Sequence, residues 1–189
     1  VDRENMIWFT SDTHFGHRNI VGPEVSRWKT GFRDFDSIER MDTTIHNNIN
    51  KYVMPDDTLY HLGDFAFRDV YRNRSKINCK NVHLILGNHD KLREEYLPLF
   101  SSISPYKEVI IDKVKFVLFH YAMRVWNRHH RGAIHLYGHS HNSINNNHGK
   151  SMDVGVDAIY ALLKEYRPIN SDEVFKIMSK RETQKVDHH

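Results

Sequence analysis

The sequence predicts an α/β protein whose two mixed β-sheets pack as a sandwich flanked by helices. Three observations carry that expectation. Five short runs rich in β-branched and aromatic residues recur along the chain and read as strands. Stretches with apolar residues three and four apart lie among and after them and read as helices. The second half is richer in strands than in helices, which favours mixed sheets stacked face to face.

The elements follow in chain order. Residues 6–10 (MIWFT) form the first expected strand and run into Ser11-Asp12. Residues 36–52 carry Ile38, Met41, Ile45, Ile49 and Tyr52 on one helical stripe. Residues 58–62 (TLYHL) run into Gly63-Asp64, and residues 82–86 (VHLIL) into Gly87-Asn88-His89-Asp90. Residues 109–114 read as two strands meeting at a short turn. The second of these, residues 114–119 (VKFVLF), runs into His120. Residues 134–137 (IHLY) run into Gly138-His139-Ser140-His141. A last helix is expected from Ser171, read as its N-cap, with Val174, Ile177 and Met178 as its apolar stripe.

Composition narrows the function classes. The chain has 189 residues, with one cysteine (Cys79) and 39% hydrophobic residues. That suits a single domain, here residues 1–187, with enough core to need no cross-links, and it excludes a disulfide scaffold. Lys and Arg number 27 against 24 Asp and Glu, a net charge of +3 with His neutral. This balance admits an anionic substrate without predicting a stable nucleic-acid partner. No run is long and apolar enough to span a membrane, and the polar N-terminus does not read as a secretory signal, so a soluble, cytoplasmic protein is expected. The terminal His188-His189 reads as the start of a purification tag and is set aside. The remaining histidines are numerous, and histidine is the commonest metal ligand and the usual acid–base group near neutral pH.

The strand ends locate the chemistry. Asp12 and His14, then Asp64, then Asn88 and His89, then His120, then His139 and His141 each follow a predicted strand. Ligands of open α/β sheets gather beyond the carboxyl ends of strands. The i, i+2 pairs Asp12/His14 and His139/His141 share a face in extended chain. Gly63, Gly87 and Gly138, each just before one of these residues, allow close approach to a centre.

The ordered blocks Asp12-x-His14, Gly63-Asp64, Gly87-Asn88-His89-Asp90, His120 and Gly138-His139-x-His141 resemble the calcineurin-like metallophosphoesterase superfamily. The wording TSDTHFGH (10–17) and YHLGDF (60–65) looks like its small stand-alone bacterial and phage members. It looks less like the larger protein phosphatases, because Asp64 continues into Phe65-Ala66-Phe67 rather than Val-Asp-Arg-Gly. The resemblance implies a four-layer α/β/β/α fold and two divalent metal ions. Asp12, His14 and His141 would hold one; Asn88, His120 and His139 would hold the other; Asp64 would bridge them. The donor set suits Mn²⁺ first, with Fe, Co, Ni or Zn²⁺ also open. The implied reaction is in-line attack of a metal-bridging hydroxide on a phosphate ester. His89 would give a proton to the leaving oxygen or stabilise charge there, and Asp90 would orient its neighbours.

A phosphodiesterase acting on small nucleotide-type esters is the expected activity. A phosphomonoesterase with the same metals is the alternative. A nuclease is less favoured by the mild charge, and a metal-holding scaffold without catalysis by the complete ligand set. The basic segment 121–132 leaves directly from His120. Its Arg124 and Arg128, together with His17, Arg18 and Asn19, are expected to form the substrate rim, with Trp126 or Tyr121 stacking on a base. His61 and His83 are expected to pack inside strands, and His46 on its helix to be structural or exposed. Cys79 has no nucleophilic setting.

Overall fold

The computed structural model describes residues 4–22, 32–145 and 148–185. The tag-like end and part of the loop around His148 lie outside them. Two sheets form. The first has strand order β4-β3-β2-β1-β9, from β1 (Ile7–Thr10), β2 (Thr58–His61), β3 (Asn81–Ile85), β4 (Ser102–Ser104) and β9 (Ile169–Asn170). Strands β1 to β4 run parallel and β9 is antiparallel to β1. The second sheet has order β5-β6-β7-β8, from β5 (Tyr106–Ile111), β6 (Val114–Phe119), β7 (Ile134–Tyr137) and β8 (Ser151–Asp153). Its β5/β6 pair is antiparallel and the rest parallel. Both sheets are therefore mixed, as the sequence predicts. The β5/β6 hairpin turns on Asp112 (φ 47°) and Lys113 (φ 66°), the two left-handed residues that a tight hairpin turn requires.

Alternation along the strands builds the layers. Phe9, Leu62 and Ile85 of the first sheet side meet Phe116, Leu118, Ile134 and Leu136 of the second. Phe9 stacks on Phe116 with centroids 5.5 Å apart. On the other face, Trp8, Leu59, Val82 and Leu84 pack against Met41, Ile45 and Ile49 of α1 (Ile38–Tyr52). Each such buried side chain contributes roughly 1.5–3 kcal/mol. The outer face of the second sheet is covered by Trp126, Ala133 and Met123 over Val117, with a short 3-10 turn at His129–Arg131.

The helices are capped from the sequence. Ser37 Oγ accepts from Arg40 N at the start of α1, and Asp69 accepts from Arg72 N at the start of α2 (Val70–Ser75). The chain then adds α3 (Val156–Leu163) and α4 (Ser171–Met178). Ser171 is the first residue of α4 rather than its cap. Asn170 caps it, accepting from Glu173 N while Glu173 reaches back to Asn170 N, because the short β9 delivers Asn170 in extended conformation.

All the parallel strands of both sheets point the same way within their sheet. The register Thr10↔His61↔Leu84 brings the ends of β1, β2 and β3 level, and Leu118↔Leu136 with Tyr137↔Asp153 does so for β6, β7 and β8. The parallel bridge Ser11↔Gly155 ties the end of β1 to the segment after β8. The chemistry-bearing residues follow these ends.

Candidate metal centre

Among the described residues, two groups of three donors bring their ligand atoms within 4.8 Å of one another: Asp12, His14 and His141, and Asp64, His120 and His139. Asp64 lies between the groups. Its Oδ2 is 3.4 Å from His14 Nε2 and 3.5 Å from His120 Nε2. Asn88 Oδ1 joins the second group, 3.1 Å from His120 Nε2 and 3.0 Å from His139 Nδ1. Every residue that the sequence motifs assign to two metals is thus gathered at one end of the sandwich.

The backbone turns sharply to do this. Asp12, His14, Asp64, His139 and His141 all adopt left-handed conformations, with φ from 45° to 65°. Such conformations are uncommon outside glycine and cluster at functional sites. Gly63, at φ 102°, lets the chain pass beside the His120 ring and Gly87, where a Cβ would collide with both.

Hydrogen bonds fix which nitrogen each ring presents. His120 Nδ1 donates to Leu62 O at 2.7 Å, so its Nε2 faces Asp64 and Asn88. His141 Nδ1 lies 2.7 Å from Asp157 Oδ2 and His14 Nδ1 2.9 Å from His17 Nδ1, leaving Nε2 of each for the centre. His139 N donates to Asp12 Oδ2 at 2.9 Å and His89 N to Asp64 Oδ1 at 2.9 Å.

The donor set tests whether a cation fits. His120, with its Nδ1 proton on Leu62 O, turns a bare Nε2 lone pair toward the oxygens of Asp64 and Asn88. Three acceptors converge there, with at most a proton on His139 Nδ1 to answer Asn88 Oδ1, an arrangement that suits a cation or a further proton. His14 Nε2 is buried and makes no hydrogen bond. Burial pushes the Asp12 carboxyl up to about 7 despite His141 and His120 nearby. Burial likewise lowers His14 to about 4. At His120 burial works against the charged form, but the Asp64 carboxylate beside it prevails and raises its pKa. Burial also disfavours the Asp64 anion, but the imidazoles of His120 and His14 outweigh this and hold the carboxyl below its usual range. Acids and imidazoles so placed fit divalent cations of the borderline first-row type.

The other sequence-derived site residues fall as follows. His89 is exposed at the rim, its ring 5.5 Å from that of His14. The Asp90 carboxylate is occupied by the amides of Asp64, Phe65 and Gly87, so it positions the two loops that carry Asp64 and Asn88. His17, Arg18 and Asn19 line a cleft beside the centre together with Phe67, Arg68 and Arg72. Arg124 and Arg128 are exposed. The Arg124 carbonyl bonds to His148 Nε2, and the Arg128 carbonyl accepts from Arg131 and Ala133. Trp126 is not available for base stacking. It is buried, stacked on His129 at 3.8 Å, and its Nε1 donates to Ala133 O. Its bulk seals the outer face of the second sheet. Tyr121 is the aromatic of this segment that reaches the centre, 4.7 Å from the His139 ring. His46 is buried, stacked on Phe15 at 3.9 Å, and His61 bonds Thr13 Oγ1. The buried Cys79 thiol donates to Asp57 O at 3.2 Å, and burial raises its pKa, which removes it as a nucleophile.

Sequence reasoning missed Arg33, Asp157 and Phe67. Arg33 is fully buried, and its guanidinium bonds the carbonyls of Asp12 and Thr13 and both oxygens of Asp157. Asp157 then holds His141. The available signal for Asp157 is an acid in the first turn of a helix that starts just after a strand end. For Arg33 no local signal exists.

A converging set of strand-end carboxylates, an amide and imidazoles, split into two groups by one shared acid, defines a metal-dependent hydrolase. Comparison with known proteins gives the family. The model of the calcineurin-like phosphoesterase superfamily domain matches residues 6–156. The chain belongs to that superfamily and is a hydrolase of phosphate esters. It is 28% identical over 184 residues to the uncharacterized protein MJ1445 of Methanocaldococcus jannaschii, covering 92% of each chain. It is 24% identical to the gene 66 protein of Mycobacterium phage L5, covering 91% of this chain and 93% of that one. Among solved structures it is similar to AQ665 of Aquifex aeolicus, a protein of unknown function, at 25% identity and a TM-score of 0.67. That match covers 92% of this chain and 100% of the other. Among the described residues no helix is long and apolar enough to cross a membrane.

Proposed function

We propose that the protein is a dinuclear metal-dependent phosphodiesterase acting on small, nucleotide-type phosphate esters, working in the cytoplasm with Mn²⁺ as its first-choice metal. The observation that carries this reading is Asp64 Oδ2, set between the two donor groups at 3.4 and 3.5 Å from His14 and His120. In this reading Asp12, His14 and His141 hold one ion, Asn88, His120 and His139 the other, and Asp64 both. Bound there, two divalent ions supply an activated water and neutralise charge on the phosphoryl oxygens.

The chain's own residues do the rest. His120, His141 and His14 are each fixed by an Nδ1 hydrogen bond and keep Nε2 aimed inward. Asp90 holds the Asp64 and Asn88 loops in register. His89, at the rim beside His14, carries the proton for the departing oxygen. His17, Arg18 and Asn19 stand along the cleft and hold the ester, with Arg124 and Arg128 reaching from the exposed loop.

The test is metal content measured together with hydrolysis. The protein is expected to bind two equivalents of Mn²⁺ per chain and to cleave bis-p-nitrophenyl phosphate faster than p-nitrophenyl phosphate. The reverse preference would make it a phosphomonoesterase, and metal binding with no hydrolysis of either would make it a scaffold. His89→Ala is expected to slow alkyl esters by about 10²–10⁴-fold and p-nitrophenyl esters far less, since a good leaving group needs no proton. Equal losses on both in a leaving-group series would remove His89 from the proton-donor role.

A further inference from the structure

We propose that the pocket on the His89 side of the centre is a leaving-group subsite built for an alcohol that carries a flat ring, as the nucleoside part of a nucleotide does. The proposal rests on the phosphodiesterase reading and gives its substrate class.

Phe67 is 47% exposed beside the centre, as Phe32 is at 52% against the His141 ring, whereas Phe15 and Phe65 are buried. Phe67 is also held rigidly. Its N–H donates to Phe15 O at 2.8 Å, and the Phe15↔Ala66 bridge pins the segment to the loop that carries His14. The ring stacks on His17 at 4.2 Å with an 8° tilt and meets the edge of His89 at 5.7 Å. His17 in turn bonds His14. An aromatic platform is thereby fixed against His17 and His89, whose rings lie 5.1 and 5.5 Å from that of His14.

Beyond Phe67 the surface drops into a small cavity of about 150 Å³ shared with His89. A cavity of about this size has room for one benzene-sized ring. Its floor is the buried apolar side chains Phe65, Leu84 and Phe100, and Tyr96 forms a second aromatic wall. Flat rings bind such slots through stacking. Cations stand at the rim: Arg68, Lys91 and Arg93. The two acids there are turned to the backbone, Asp69 capping α2 and Asp90 taking three loop amides. Arg93 is answered by Glu95 at 3.4 Å, so the rim carries both signs of charge and the aromatic slot, rather than charge, selects the occupant.

Geometry assigns this pocket to the leaving half of the ester. His89 lines it and does not line the cleft on the other side of Phe67, where Arg18 and Asn19 stand. When water adds its oxygen to phosphorus and releases a proton to solvent, the ester P–O bond breaks, its electron pair goes to the departing oxygen, that oxygen takes a proton from His89, and His89 regains one from solvent. The alcohol so formed lies on the His89 side, over Phe67. Product and pocket match when that alcohol is a nucleoside.

Two diesters that share the retained group, one with phenol and one with hexafluoroisopropanol as leaving alcohol, test this, because the two alcohols are similar in acidity and differ in flatness. The wild-type protein with Mn²⁺ is expected to favour the phenyl ester in kcat/KM by about tenfold. Phe67→Ala is expected to bring that ratio close to one, through KM, and Phe67→Tyr to restore it. An unchanged ratio in Phe67→Ala, or a wild-type ratio already near one, would overturn the subsite while leaving the phosphodiesterase reading intact. Failure of the wild-type protein to cleave either ester would remove the phosphodiesterase reading and the subsite together.

Discussion

Asp64→Asn is expected to lower kcat/KM toward phosphodiesters by on the order of a thousandfold and to reduce bound Mn²⁺ from two equivalents per chain. The size follows from position. Removing a group that merely orients a metal ligand typically costs 10–100-fold. Asp64 stands between both donor groups, so its loss affects each. Burial works against its charge, yet the imidazoles of His120 and His14 keep it ionised. Asparagine keeps the shape and the bond from His89 N but supplies no anion. Metal titration followed by calorimetry, with rates measured in parallel, reads both effects. A variant that kept near wild-type turnover with added Mn²⁺ would mean that Asp64 does not bridge.

Arg33→Ala is expected to destabilise the fold by about 3–5 kcal/mol, the cost of leaving a buried charge without its partner. Arg33 is fully buried and bonds both oxygens of Asp157. With the guanidinium gone, Asp157 faces the interior with only His141 to answer it, and the carbonyls of Asp12 and Thr13 lose their donor. Urea unfolding measures the loss. The double variant Arg33→Met, Asp157→Leu separates packing from positioning. It removes both charges at once and is expected to recover much of the stability. Its affinity for metal should stay about 10–100-fold below wild type, because His141 no longer has an acceptor to fix its ring. An Arg33→Ala protein within about 1 kcal/mol of wild type would show that the pair does not hold this end of the sandwich together.

Much of the site can be read in the sequence because its residues follow strands that are themselves legible. Residues 114–119 and 134–137 form strands with the expected bounds, and α1 follows its apolar stripe from Met41 to Ile49. Each ends or borders a polar block, so the order of the blocks along the chain already groups the ligands. What is not legible acts at long range or from very short elements. β8 has three residues and β9 two, too few to show a period. Arg33 bonds partners 21 and 124 residues away, and nothing around it in the chain announces this. Trp126 sits in a loop whose basic composition suggests a rim. Aromatic content alone does not say which side faces the sheet, and the ring turns inward.

The level strand ends have a consequence for how the chain tolerates changes of length. Because side chains alternate between faces, one residue added inside β1, β2, β6 or β7 would swing the ligand that follows to the opposite side. Those strands act as rulers, their lengths counted to the residue by the centre at their tips. The hairpin turn at Asp112-Lys113 and the outer part of the 121–133 loop lie off this count. Related chains are thus expected to differ in length there and at the far ends of the strands, and to keep the ruled segments uniform.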